Sequence, residues 1–237
     1  MTKHLSEHVT PFALQQTLSN KFSIRESRLI KRLDTPEKVQ TYLNKLPYNQ
    51  EPHGKTLRSF RGVIENKTAH CMEAALTAAT ILERHGYPPL LLSFESIDYL
   101  DHVLFVYQQN KKWGSIGRSR DPGLHGRNPV FRTTRDLALS YVEPYVDQTG
   151  RITGYAVVDL RLLESYDWRL ANFNVWKTDR LLQDYSHKPI NSSDQRIADL
   201  RRRFILFSKK NPGKKPLYFK EKETWSELPA IWRPTKR

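Results

Sequence analysis

Only one cysteine, Cys71, occurs in 237 residues, so no intramolecular disulfide can brace this chain. Long hydrophobic runs are also missing. Residues 1–23 mix charge with short apolar pieces, and no stretch reaches the ~20 apolar residues that cross a bilayer. The expectation is a soluble, cytoplasmic protein with no membrane contact. Zinc-ligand spacings, a glycine-rich phosphate loop, an RNA-binding signature and internal repeats are all lacking, so neither a metal nor a cofactor is expected. Acidic residues are the scarcer charged class: 25 stand against 39 Lys and Arg, a formal net charge of +14. Such an excess favours weak, non-specific contact with polyanions, but without an accompanying motif it reads first as a solvated basic face and tail.

The composition, 38% hydrophobic, supports one α+β domain with extensions. Its informative stretch is residues 68–121. Cys71, Ala74, Ala75, Ala78, Ala79 and Leu82 recur with helical period, and Gly86 supplies a stop. Cys71 therefore falls in the first turn of a buried helix, where unpaired backbone N–H groups and the positive end of the helix dipole favour the nucleophilic thiolate. Leu90-Leu91-Leu92-Ser93-Phe94 and His102-Val103-Leu104-Phe105-Val106-Tyr107 read as two strands, with His102 at the mouth of the second. A two-residue turn at Asn110-Lys111 makes a hairpin in which Gln109 pairs with Lys112 and His102 with Ser119. Side-chain alternation then puts Trp113, Ser115, Gly117, Ser119 and, by extension, Asp121 on the face of His102.

A cysteine at a helix start, a histidine at a strand start and a hairpin returning through Trp113 resemble the transglutaminase-like superfamily of papain-related cysteine hydrolases and acyltransferases. The strings carrying the resemblance are Ala69-His70-Cys71-Met72-Glu73-Ala74-Ala75-Leu76, Asp101-His102-Val103 and Lys112-Trp113-Gly114-Ser115-Ile116. Leu139-Ser140-Tyr141 and Asn174-Val175-Trp176 add to it and point to a bacterial branch; the likeness is strongest over residues 55–145. The resemblance implies a helix carrying Cys packed on an antiparallel sheet carrying His. It also implies a thiol acyl-transfer enzyme in which Cys71 attacks a peptide or small amide and His102 moves the proton, hydrolysis being favoured over crosslinking. The third member in that superfamily is an Asp four residues after the strand Trp, and Gly117 stands there. Ser115, Ser119, Asp121 or a backbone carbonyl are the alternatives for orienting the imidazole. Asp121 alone carries charge and is the expected third catalytic residue. His70 reads as a neighbour of the site, and Asp98 and Asp101 as loop-capping residues.

The rest of the chain divides into a helical lead-in over residues 1–33, the core domain over 34–208, and a basic, proline-containing tail over 209–237 that packs on the domain. Phe12, Leu14, Leu18 and Phe22 form one apolar stripe, and Ile24, Leu29, Ile30 and Leu33 another. Thr35 and Pro36 open a helix whose buried stripe is Val39, Leu43 and Leu46. Residues 48–66 read as loop, with Asn66 and Gln50 as equal candidates for holding an oxyanion. Residues 120–134 read as one long loop whose Arg120, Arg127 and Arg132 either bind a substrate anion or pair with Asp98, Asp101 or Asp136. A helix over 134–146 stopping near Pro144, a strand within 150–163, an aromatic-rich segment over 168–182, a polar linker over 187–193 and a helix over 195–208 complete the domain. Two rival functions are a catalytically degenerate peptide-binding module of the same fold and a basic nucleic-acid-binding protein.

Overall fold

The computed structural model describes residues 21–99 and 102–233. Phe12, Leu14, Leu18 and Asp101 lie outside the described residues. Helix α1 (Ile24–Arg32) opens on a capping box, in which the Ser23 hydroxyl accepts from the Glu26 backbone N–H and the Glu26 carboxylate accepts from that of Ser23. Leu29, Ile30 and Leu33 turn inward, whereas Ile24 points to solvent. Helix α2 (Pro36–Lys45) starts at Thr35, whose hydroxyl accepts from Lys38 N, with Pro36 in the first turn. Val39 and Leu43 are fully buried.

Residues 48–66 are not all loop. Ser59 caps a short helix, α3 (Phe60–Asn66), whose Phe60, Val63 and Ile64 follow an i, i+3, i+4 pattern into the core. Seven residues are too few for that period to stand out among the surrounding polar positions. Helix α4 (Cys71–Glu83) follows, with Gly86 at φ +87° just beyond it, a backbone conformation that glycine adopts without strain.

The sheet runs β4-β3-β2-β1-β5-β6, every neighbouring pair antiparallel. Its strands are β1 (Leu90–Ser96), β2 (Val103–Gln109), β3 (Lys112–Ile116), β4 (Arg127–Phe131), β5 (Ile152–Asp159) and β6 (Lys188–Pro189). The β2–β3 register pairs Gln109 with Lys112 and Phe105 with Ile116, as the two-residue turn requires. Strand β4 lies in the segment that reads as loop, because Pro129 interrupts it. Proline lacks the ladder N–H but is tolerated in an outer strand, and β4 borders only β3. In the 134–146 segment the single expected helix is two, α5 (Thr134–Leu139) and α6 (Val142–Tyr145), with Pro144 inside the second. Helices α7 (Trp176–Asp184) and α8 (Asp194–Lys210) complete the chain's main elements.

Alternation along the strands creates two apolar layers. Phe105, Tyr107 and Ile116 face α2, α3 and α4, while Leu92, Phe94, Leu104 and Val106 face α5, α6 and the segment around Leu124. The layer holding α4 is where Cys71 meets the sheet, beside the start of β2. Residues beyond α8 cross β4: Trp225 bridges Arg127, Ser226 N donates to Gly126 O, and Asn44 Nδ2 donates to Glu227 O. Among the described residues no helix is long and apolar enough to span a membrane.

Candidate active site

Cys71 is the first residue of α4, so its sulfur lies where the helix N–H groups are unpaired. Part of its surface is open to solvent. Two imidazoles, His102 and His70, make side-chain hydrogen bonds with the thiol. Burial pushes the thiol up, but those two hydrogen bonds and the imidazoles' positive charge outweigh it and hold the group well below its ordinary value.

His102 precedes β2 and is 4% exposed. Its ring stacks parallel to Phe94 with centroids 6.5 Å apart and meets Tyr141 at 6.3 Å. Nε2 lies 2.8 Å from the carbonyl oxygen of Leu124, so it donates there and leaves Nδ1 for the sulfur. The group on the far nitrogen is therefore a backbone carbonyl. The expected Asp121 is elsewhere: its carboxylate sits 2.7 Å from Lys215 Nζ in a half-exposed ion pair. Ser115 is bound to the Tyr141 hydroxyl at 2.6 Å and to Arg127 N at 3.0 Å, and the Ser119 hydroxyl accepts from Asp121 N. At Gly117 an added Cβ would meet Leu104 Cδ2 at 2.1 Å. Gln40 also closes this position, its side-chain amide accepting from Gly117 N at 3.0 Å and donating to Gly117 O at 2.9 Å.

The segment bearing the Leu124 carbonyl is held by a residue that the sequence presents as a loop arginine. Arg127 is fully buried, and its guanidinium donates to the carbonyls of Gly123 at 2.6 Å, His125 at 2.9 Å, Gly126 at 3.3 Å and Ser140 at 3.3 Å. The rings of Tyr141 and Trp225 lie 4.0 and 5.0 Å from its central carbon. Arg127 thus pairs with neither Asp98 nor Asp136 and faces no open cleft; it fixes residues 123–126 and with them the acceptor of His102. Asp98, by contrast, does cap its loop, accepting from the hydroxyls of Ser96, Tyr145 and Thr149.

His70 is more than a neighbour. Its Nε2 lies 2.9 Å from Thr56 O, 3.6 Å from Glu73 Oε1 and 3.9 Å from Glu51 Oε1. Burial lowers the imidazole, yet the hydrogen bond to Cys71, the thiolate's charge, the Glu73 charge and the Thr56 carbonyl together raise it to about 9. Glu73 is fully buried, and four donors converge on it: Thr56 Oγ1 at 2.8 Å, Asn49 Nδ2 at 3.0 Å, Arg58 N at 3.1 Å and His70 N at 3.2 Å. The readable signal is the i, i+3 spacing of His70 and Glu73 across the helix start, which sequence alone presents as a cap.

Tyr48 is the remaining newcomer. Its phenol lies near the start of α4, where the backbone N–H of Cys71, the group that holds an oxyanion in thiol acyl transfer, favours the charged phenolate. Burial and the charge of Cys71 push that phenol up. Of the two residues considered for this place, Gln50 is exposed and Asn66 is turned onto Gly62 O at 2.8 Å. A hollow of about 310 Å³ is lined by Val103, the residue after His102, and by Asp179, whose carboxyl feels the His70 charge, but by none of Cys71, His70 and His102. A larger hollow of about 500 Å³, between α1 and Tyr42, shares no lining residue with the Cys71 cluster. Among the described residues no group of three or more His, Cys, Asp or Glu is arranged to hold a metal.

No family model matches this chain, and no curated protein does at a significant level. Among solved structures, Legionella pneumophila LapG is similar over 72% of this chain and 94% of its own, at 13% identity and a TM-score of 0.36. The EGTA-treated LapG structure is similar over 65% of this chain and 92% of its own, at 14% identity and a TM-score of 0.33. Likeness this slight carries no chemistry, and the site stands on its own geometry.

Proposed function

We propose that this protein is a transglutaminase-like cysteine hydrolase or acyltransferase acting on a peptide or small amide, with Cys71 as nucleophile and His102 as its acid and base. The observation carrying this reading is the placement of one sulfur at a helix start in hydrogen-bonding contact with imidazoles, its thiol held below the ordinary range. In the reaction the thiolate forms the S–C bond as the carbonyl pair moves onto oxygen. Collapse breaks C–N, and the leaving amine takes a proton from His102. Water, or an amine acceptor, then adds to the thioester carbon, gives its proton back to His102 and returns the C–S pair to sulfur. In this reading the Cys71 N–H turns from the Tyr48 phenol to the oxyanion, with the Tyr48 hydroxyl as a second donor. The +14 charge adds weak polyanion attraction.

The test is covalent. Incubation with activated acyl esters followed by intact-protein mass measurement should show an acyl adduct on wild-type protein and none on Cys71→Ala. Adducts at equal level in both would end the nucleophile assignment. The degenerate peptide-binding reading is favoured by one observation, the uncharged Leu124 carbonyl on His102; it predicts peptide retention with no adduct.

A further inference from the structure

We propose that His70, positioned by Glu73, is a permanent counter-ion that keeps Cys71 ionised whatever the protonation state of His102, leaving His102 free to alternate between acid and base. The inference rests on the reading of Cys71 as nucleophile. Its basis is an asymmetry between the two rings that flank one sulfur. The far nitrogen of His102 meets a neutral carbonyl at 2.8 Å. The far nitrogen of His70 meets the Thr56 carbonyl at 2.9 Å and has two carboxylates near it, Glu73 at 3.6 Å and Glu51 at 3.9 Å. Nε2 of His70 is therefore a donor, and the hydrogen bond to the sulfur falls to Nδ1, which also lies over the Glu73 backbone N–H at the helix start.

Glu73 cannot swing away. Its four donors come from three segments, residues 49, 56–58 and 70, and all are N–H or O–H groups, as a fixed anion requires. Other charged groups near His70 are Cys71 itself, Asp179, which is buried enough to be raised, and Arg58, whose Nε is 3.9 Å from Glu73. Beyond the sulfur stand Tyr48 and, behind it, Arg120. During the cycle His102 supplies the leaving amine's proton and recovers one from water, while His70 keeps its proton throughout. The Glu73 carboxylate, the His70 imidazolium and the thiolate thus form a charge set that does not depend on the travelling proton. Papain-like chemistry usually asks one imidazole both to hold the thiolate and to move the proton; here the carboxylate serves the ring that does not move it.

The rate of Cys71 alkylation by iodoacetamide against pH, on the full chain, tests this. Wild type should react at about pH 6 with its acid limb well below the ordinary thiol range. His70→Gln should lose at least about tenfold of that rate as the limb moves toward about 8.5, the unperturbed thiol value. His102→Gln removes the larger of the two hydrogen-bond effects on the thiol, yet should still leave the limb below the ordinary thiol range, because His70 then holds the thiolate alone. If His102→Gln alone moves the limb and His70→Gln leaves it in place, the counter-ion is His102 and the proposal is overturned, with Cys71 still the nucleophile. An unshifted limb in wild type would overturn the nucleophile reading itself. The charge on His70 is also read without mutation from the nitrogen NMR shifts of its ring: imidazolium is expected at about pH 7.5, below the raised value of the ring, and a neutral ring there overturns the proposal.

Discussion

Gly117 occupies the position where the superfamily resemblance calls for a carboxylate, so Gly117→Asp separates the resemblance from the geometry. An added Cβ would lie 2.1 Å from Leu104 Cδ2, and Leu104 is fully buried with no open side to retreat into. Forcing that volume costs about 1–3 kcal/mol. Leaving the new carboxylate without donors in an apolar layer adds about 1–3 kcal/mol. Displacing the backbone also endangers the paired hydrogen bonds from Gln40, at 2.9 and 3.0 Å. A loss of about 2–6 kcal/mol corresponds to a fall in Tm of about 4–24 °C for a chain of this size. Gly117→Ala carries the volume without the charge and should lose about 1–3 kcal/mol. Urea denaturation gives both numbers, and iodoacetamide alkylation at about pH 6 reads the thiol. A Gly117→Asp protein as stable as wild type, with faster alkylation, would mean that the carboxylate had reached His102 in place of the Leu124 carbonyl, and the reasoning would be wrong.

Asp121→Asn removes only a half-exposed pair with Lys215, so unfolding free energy should change by less than about 1 kcal/mol and the alkylation profile should not move; a shifted profile would restore Asp121 to the site. Arg127→Ala strips donors from four carbonyls and a platform from two aromatic rings, and should cost about 3–5 kcal/mol while exposing residues 211–233 to limited proteolysis. The pH dependence of stability follows from two opposed shifts. His70, raised to about 9, contributes stability that is present below its unfolded value and lost as pH rises through its folded one. Cys71, lowered from 9.0, contributes stability that is present above its unfolded value and lost as pH falls through its folded one. Across about pH 6.5–9 the two offset each other, so the unfolding free energy of wild type minus that of Cys71→Ala should be flat there and should fall only toward acid. A difference that stays flat on the acid side as well, below about pH 6.5, would show that the pair is not ionised, because a neutral pair holds the same single proton as an ion pair through the neutral range.

What was legible in the sequence followed periodic patterns long enough to exceed noise. The alanine-rich period placed α4 and its Cys71, and the β2–β3 register followed from one short turn and strand alternation. Short or irregular pieces were lost: α3 is seven residues, and β4 contains Pro129. The acceptor on His102 was invisible for a different reason. A backbone carbonyl has no residue type, so strand alternation ranks side chains alone and favours Asp121 for its charge, while the turn at Pro122–Leu124 swings the Leu124 carbonyl inward. Alternation also assumes that β3 continues past Ile116, whereas Gln40 engages the backbone at Gly117 and ends the ladder.

Gln40, Gly117 and Arg127 together explain why the anion of this site belongs on the helix and not on the hairpin. Once Leu104 fills the space beside position 117, no side chain can project there, and the end of the hairpin is stitched to α2 through Gln40. The chain then turns back through residues 122–126, and a buried guanidinium collects their carbonyls. A cation already stands behind the acceptor of His102, so the carboxylate at 121 gains a closer partner in Lys215 than in the imidazole. At the opposite end of the site the cations, His70 and Arg58, stand beside a carboxylate, Glu73, at 3.6 and 3.9 Å. At the start of α4 the orphan N–H of His70 and the donors of Asn49, Thr56 and Arg58 are arranged for an anion, and Glu73 is the residue whose spacing reaches all of them. A Glu73→Gln protein keeps the volume but must turn an amide N–H₂ toward at least one donor, so it should lose about 1–3 kcal/mol. The acid limb of Cys71 alkylation should rise with it. A folded Glu73→Gln protein whose limb stays in place would separate the carboxylate from the thiolate and confine Glu73 to capping α4.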